Sequence, residues 1–459
     1  MRKLLTLVFV LTTAANLFAA DKSSRPNILF ILADDTGIDD YGCYGSDRFK
    51  KLTPNIDALA KSGIKFQRCY ASPLCGPSRA TIMTARYVFR NGAINNQLTH
   101  TTSFKNEPSL AKTLKQAGYA TGMAGKWRQM GDSPGDWGFE EFITDNTAGG
   151  WFWQNSYNKN GEHVTTEKEV YCPDVCLDFT VDFFKRHKDG PFYFYFPTHL
   201  VHGPILRTPD TKDGTKGQEA LYDDNIAYMD KQVGQLLAAL DKLGLREKTL
   251  VIFSGDNGTA KRSNTIGGRE VHGAKASLWE GGSRVPLIAN WPGVTPQGKV
   301  LNDLVDFTDF FPTFAEIAVA KMPKDAKIDG HSFAPQLRGK KGSPRDWIFV
   351  QLNAKWYVRN DGWKLNQAGE LYDMSDAPFV EKLVSPDQEN SAAKKARKAL
   401  QAALDELKPG AGKTPAAAET PNRKTRRQFK RQQRTTTGGP AQSQDVLPAR
   451  VGLRIEEPT

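Results

Sequence analysis

Cys75 stands in Ser72-Pro73-Leu74-Cys75-Gly76-Pro77-Ser78-Arg79, where a short apolar run gives way to a helix-like segment. A lone cysteine is ordinarily a small buried hydrophobe. A nucleophilic thiol needs a base nearby, and no local motif places a histidine beside this one. Oxygen ligands occur at two other points, Asp34-Asp35-Thr36-Gly37 and Gly255-Asp256-Asn257-Gly258. Either pair alone reads as a turn or a helix cap. Together, each following an apolar run, Asp34, Asp35, Asp256 and Asn257 make a hard-oxygen set suited to Ca²⁺ or Mg²⁺ and unsuited to zinc. Lys126 in Gly125-Lys126-Trp127 and Lys275 in Gly273-Ala274-Lys275 add cations that in isolation would read as solvated surface charges. Two histidines, His199 and His202, stand three residues apart, the second in His202-Gly203-Pro204.

The pattern Cys75-x-Pro77-Ser78-Arg79 resembles the signature of the sulfatase family. Its four specified residues coincide by chance in about one chain of this length in a thousand, and Ala80 to Arg86 fills the helix that follows in the family. The resemblance extends from about Pro26 to Met374. It includes Asp34-Asp35, the Gly125-Lys126-Trp127 segment, Gly255-Asp256-Asn257-Gly258, the turn from Gly273 to Gly282, and the closing Gly369-Glu370-Leu371-Tyr372-Asp373.

Such a resemblance implies that a formylglycine-generating enzyme converts Cys75 to formylglycine. One hydroxyl of the aldehyde hydrate then attacks sulfur and displaces the alcohol, and the other expels sulfate. It implies a cation, calcium in preference to magnesium, held by Asp34, Asp35, residue 75, Asp256 and Asn257. Arg79 would steady the hydrate, and Lys126 and Lys275 would bind the sulfate. His202, favoured over His199, would protonate the leaving oxygen. The implied substrate is a sulfate ester, of a sulfated carbohydrate by analogy with exported bacterial members. One departure stands out. Many members have histidine two residues after the lysine; here that position is Arg128, which keeps its proton and cannot act as a base. Two other functions share these residues: a phosphodiesterase or phosphonate hydrolase with the same nucleophile, and a sulfoglycan-binding protein whose turnover is lost through changes such as Arg128.

Positioning these residues requires a sheet. Pro26 to Ala33 is a continuous apolar run ending at Asp34, as expected of a strand covered on both faces. Thr249 to Ser254 ends at the second acidic turn in the same way, and open α/β sheets bind ligands at such carboxyl ends. Strands are expected also at 64–70, 119–124, 191–196 and 286–290. They alternate with helices from Thr53-Pro54 to Ser62, and at 110–116, 174–187, 219–243 and 309–318. This alternation predicts an α/β fold, a large doubly wound, mostly parallel sheet flanked by helices. After residue 338 the texture changes to short strands at 347–352, 355–359 and 362–365 and one helix at 392–407. That is the pattern of a small C-terminal antiparallel sheet. The expected organisation is a signal peptide at 1–20, a catalytic domain at 21–338, a small α+β subdomain at 339–408 and a basic disordered tail at 409–459.

The net charge of +11 sits mostly at the ends. From Lys408 to Thr459 there are 11 Lys/Arg against 4 Asp/Glu, and Arg2 and Lys3 add two more positive charges, leaving about +2 for Asp21 to Leu407. Nucleic acid is therefore not an expected partner of the folded body. Arg2 and Lys3 before the apolar run Leu4 to Leu11 mark export to the periplasm or beyond, and no other stretch is long and apolar enough to be a transmembrane segment. Cys43, Cys69, Cys172 and Cys176 could form two disulfides or remain free. The stretch 146–163, with Trp151 and Trp153, is a candidate for selecting the leaving group, its tryptophans suited to stack on sugar rings or to pack under the loop.

Overall fold

The computed structural model describes residues 25–127, 130–145, 152–260 and 264–411. The expected signal peptide, Arg128, Trp151 and nearly all of the basic tail lie outside them. In chain order the strands are β1 (Asn27–Ala33), β2 (Ile64–Tyr70), β3 (Ala120–Ala124), β4 (Glu141–Asp145), β5 (Trp153–Lys159), β6 (Glu162–Tyr171), β7 (Phe192–Pro197), β8 (Thr249–Gly255), the short pair β9 (Thr265–Ile266) and β10 (Arg269–Glu270), β11 (Arg284–Asn290), β12 (Lys299–Asp306), and β13 to β17 (Ile348–Leu352, Lys355–Arg359, Trp363–Asn366, Leu371–Asp373, Lys382–Val384).

Ten strands form one sheet in the order β12-β2-β11-β8-β1-β7-β3-β4-β5-β6. β8, β1, β7, β3 and β4 run parallel to one another, whereas β11 is antiparallel to both β8 and β2, and β5 is antiparallel to β4. β1, at the centre, is buried along its whole length. Its alternate residues serve two cores: Ile28, Phe30 and Leu32 face a layer with Phe310 and Phe314, while Leu29, Ile31 and Ala33 face one with Phe183 and Val233. A strand with helices on both sides has no polar face, which is why its sequence is a continuous apolar run.

Three strands of this sheet carry little sequence signal. β6 (Glu-His-Val-Thr-Thr-Glu-Lys-Glu-Val-Tyr) is an edge strand exposed over most of its length, and its charges suit an edge that should not recruit another chain. β12, at the opposite edge, is exposed over its first half, and β5 pairs β4 with β6. β11 begins at Arg284, two residues before the expected start, because pairing to β2 resumes beyond an irregularity between Val285 and Leu287. Pro286, which has no N–H to donate, occupies that irregularity. Thr53 stands at the N-cap of the helix Pro54–Lys61 but makes no side-chain cap bond there.

β13 to β17 form a consecutive antiparallel sheet covered by the helix Ser391–Leu407, with Val358, Leu365 and Leu371 packed on Ala393, Leu400 and Ala403. All five cysteines are free thiols, Cys172 and Cys176 lying one helical turn apart. No helix of the described residues is long and apolar enough to cross a membrane.

Candidate active site

The carboxyl ends of β1, β2, β3, β7 and β8 share one edge of the sheet, and each delivers a candidate residue to it. β1 leads into Asp34 and Asp35, β8 into Asp256 and Asn257, β3 into Lys126, and β7 into the segment with His202. β2 leads through residues 71–74 to Cys75, the first residue of the helix Cys75–Thr84. Lys275 follows the β9–β10 pair. Gly125 is needed where β3 ends: its φ is +130°, and a Cβ there would lie 2.1 Å from the Pro197 carbonyl oxygen. That close approach lets the Lys126 N–H donate to Pro197 O at 2.8 Å and turns the lysine inward.

Within the site the acids and cations interlock. Arg79 Nη2 and Nε donate to Asp256 Oδ2 at 2.8 and 3.1 Å, and Nη1 donates to the Lys126 carbonyl at 3.1 Å. Lys126 Nζ meets Asp34 Oδ2, and Lys275 Nζ meets Asp35 Oδ1. The Asp35 N–H donates to Asp256 Oδ1 at 3.1 Å, and Asn257 Nδ2 donates to Asp35 Oδ1 at 3.0 Å. Asp35 holds a left-handed backbone, φ 63°, which turns the chain back on the strand end.

His202 and His199 part company here. His202 Nε2 is 3.8 Å from Asp35 Oδ2, while the fully buried His199 places Nε2 3.2 Å from Asp145 Oδ1 at the end of β4. His202 Nδ1 lies 2.6 Å from the Gly203 carbonyl oxygen. A carbonyl only accepts, so Nδ1 carries the proton and a neutral ring presents Nε2 bare.

Burial and neighbouring charges set the ionisation of several members. Burial pushes Asp34 up, but Lys126, His202 and Arg79 outweigh it and hold the carboxyl below the usual range. Asp256 is raised, by burial first and by the Asp34 charge second. Burial alone would lower Lys126 and Lys275; Asp34 for the first, and residue 75 with Asp35 for the second, raise both instead. Burial lowers His202 and raises the Cys75 thiol, whose side chain is wholly inaccessible.

Two buried oxygens, Asp34 Oδ1 and Asn257 Oδ1, have no hydrogen-bond partner among the described residues. Ligand atoms of Asp34, Asp35, Cys75 and His202 all come within 4.8 Å of one another. Unsatisfied buried acceptors are costly unless something electropositive joins them. Hard oxygen donors with one imidazole nearby fit a divalent cation of the calcium or magnesium type.

The sulfatase family profile matches residues 26–320, and the profile described as N-sulphoglucosamine sulphohydrolase, C-terminal, matches residues 272–408. The chain belongs to the sulfatase family. It is 30% identical over 446 residues to arylsulfatase D of Homo sapiens, covering 74% of each chain. It is 32% identical over 381 residues to N-acetylgalactosamine-6-sulfatase of Canis lupus familiaris, covering 75% of this chain and 72% of that one. Among solved structures it resembles Ps i-CgsB in complex with k-i-k-neocarrahexaose, with TM-score 0.71 and 26% identity, covering 90% of this chain and 99% of the other. This sulfatase is accordingly a sulfuric ester hydrolase.

The structure also brings in residues that carry no motif. Asn96 Oδ1 accepts the Gly76 N–H at 3.0 Å, and its amide lies 3.9 to 4.0 Å from Cys75 Sγ. Thr259 Oγ1 accepts the Gly37 N–H at 3.0 Å and sits 2.8 Å from Asp39 and 2.6 Å from Asp40, and its carbonyl accepts the Lys275 N–H at 3.0 Å. It therefore ties the first acidic turn to the second and both to Lys275. Trp153, the describable one of the two loop tryptophans, lies in β5 against Tyr171 and donates Nε1 to Arg207 O at 2.9 Å.

Proposed function

We propose that this sulfatase is an exported, calcium-dependent enzyme that hydrolyses sulfate esters of a carbohydrate through formylglycine at position 75. The observation that carries the reading is the convergence of Asp34, Asp35, Cys75, Asp256 and Asn257 with Arg79, Lys126, Lys275 and His202 on one sheet edge, with two acceptor oxygens left over. Chemistry is assigned to 21–338, and 339–408 is assigned to flanking it.

Asp34, Asp35, Asp256 and Asn257 would hold calcium, which there would neutralise sulfate oxygens and the oxyanion of residue 75. Converted to formylglycine, residue 75 would supply, as the aldehyde hydrate, a hydroxyl nucleophile for sulfur. Arg79, fixed by two bonds to Asp256, holds the start of the Cys75–Thr84 helix against the acidic edge and directs its charge toward residue 75. Lys126 and Lys275 keep their protons and present cations to the sulfate oxygens. His202, with Nδ1–H committed to Gly203 O, takes a proton at Nε2 and can return it to the leaving alcohol oxygen.

Sulfated carbohydrate as substrate draws support from N-acetylgalactosamine-6-sulfatase and from Ps i-CgsB, the latter solved in complex with k-i-k-neocarrahexaose. Mass spectrometry of the tryptic peptide containing position 75, with sulfate release measured with and without chelator, tests the reading. An unmodified cysteine in fully active enzyme would overturn it.

A further inference from the structure

A cleft between Ala276–Trp279 and the β13–β14 hairpin has no part in the chemistry above. It encloses about 530 Å³, inside the range of roughly 300–1,000 Å³ usual for small-molecule sites. Both of its rims are anchored to segments of the active site. One continues directly from Lys275: the Ala276 N–H donates to Pro73 O at 2.8 Å, two residues before Cys75. The other is pinned by Asn353, whose N–H donates to Ile94 O at 2.9 Å and whose Oδ1 accepts from Asn95 Nδ2 at 2.7 Å. The next residue, Asn96, is the one that touches residue 75. The cleft thus begins one residue beyond Lys275, and both of its rims are tied to segments that flank residue 75.

Its lining combines ring faces with short polar groups. Trp356 rests on the apolar cluster of Phe349 and Leu407 and lines the cleft, half-exposed. Its backbone is fixed by Gln367, whose Oε1 accepts the Trp356 N–H at 3.0 Å. Trp279 forms the opposite wall, stacked on His272 with ring centroids 4.5 Å apart. Glu370 Oε2 accepts from Asn366 Nδ2 at 2.6 Å and from the Tyr372 hydroxyl at 2.9 Å, so the carboxylate is oriented.

The charges of the lining cancel. Lys364 is buried and paired with Glu381, leaving exposed Lys355 against exposed Glu370. A second sulfate would gain no net attraction here and would meet the oriented carboxylate. A diol, by contrast, can donate to Glu370 while a sugar ring lies on Trp356.

We propose that this cleft is a subsite for a neutral sugar residue linked to the sulfated one, with its ring on Trp356 and its hydroxyls on Glu370 and Asn366. The proposal rests on the carbohydrate reading above. The test measures kcat/KM on galactose-6-sulfate and N-acetylgalactosamine-6-sulfate, each free and as the sulfated end of a disaccharide with unsulfated galactose, with para-nitrophenyl sulfate as reference. The disaccharides are expected to be preferred over the free sugars. Trp356→Ala lowers that preference about tenfold, the scale of one ring contact, and Trp356→Phe restores most of it. Glu370→Gln reduces the discrimination against a disaccharide whose second sugar is also sulfated. Cleavage of free and linked sugars with equal efficiency, or an equal loss on both in Trp356→Ala, overturns the subsite alone. Hydrolysis of para-nitrophenyl sulfate with no turnover of any sugar overturns the carbohydrate reading and the subsite with it.

Discussion

Two knots of charge are buried in this sulfatase, and they are built on opposite plans. At the seam between the two sheets, Glu280 bonds Arg359 at 2.6 Å and Arg284 at 3.2 Å, Arg359 also donates to the Tyr70 hydroxyl at 2.6 Å, and Lys364 pairs with Glu381. Glu381 in turn accepts the Glu280 N–H at 2.7 Å. None of the fully buried side-chain nitrogens and oxygens in this set lacks a hydrogen-bond partner among the described residues. At the strand ends, a similar mixture of acids and cations leaves Asp34 Oδ1 and Asn257 Oδ1 without partners. A charge cluster that closes on itself fastens two pieces of structure; one that keeps open acceptors is arranged to receive something.

Perturbing the open cluster should act first on chemistry and on ion binding. Cys75→Ala is expected to lower kcat by about 10⁴-fold or more, with the thermal transition close to wild type, as steady-state assay beside calorimetry will show. Asp256→Ala comes next. Calcium at about a hundred times its Kd should stabilise the wild type by about 2.7 kcal/mol, and the variant, deprived of a ligand and of the partner of Arg79, should lose most of that shift in a thermal melt.

Perturbing the closed cluster should do the reverse. Arg359→Met takes from buried Glu280 the closer of its two arginine partners and should cost about 3 kcal/mol of stability, the low end for a broken buried pair because Arg284 remains, read from urea titration. Adding Glu280→Leu to it should recover part of that loss and no more, because it removes the excess buried carboxylate but also the partner of Arg284.

A smaller effect lies at the far end of the seam, where Arg345 bonds Asp309 at 2.5 Å and Asp306 is the excess acid, pushed up to about 7 by burial first and only partly relieved by Arg345. A carboxyl raised on folding binds its proton more tightly in the native state, so its contribution is greatest below pH about 4 and is lost as pH rises toward 7. Asp306→Asn keeps an acceptor for the Thr308 N–H and hydroxyl, 2.9 and 2.8 Å from Asp306 Oδ1. It should flatten that decline in stability measured from pH 4 to 7.

The two knots also differ in how far sequence reveals them. The open one is written in short motifs placed just after apolar strands: Ile28 to Ala33 and Leu250 to Phe253 announce β1 and β8, and the acids that follow fall at their carboxyl ends. The closed one joins Glu280 of the Gly273 to Gly282 turn to Tyr70 and Arg359, which are far away in the chain and unremarkable in their local settings. Asn96 and Thr259 escaped notice for the same reason, since only the fold brings them to Cys75 and to Asp39. β6 escaped because an exposed edge strand has no apolar face to alternate, and its run of charges reads as loop. The small sheet was legible through its tight turns, although its last two strands are too short to show a period.

The complete burial of Cys75 sets an order of events. A thiol with no accessible surface cannot be visited by another enzyme once the helix Cys75–Thr84 has seated, so any conversion at this position belongs to the unfolded or nascent chain. On the formylglycine reading proposed above, folding and maturation would compete for the same interval. A variant that folds faster could emerge less active with every active-site residue intact, and slowing the passage of the chain would raise the fraction that becomes enzyme.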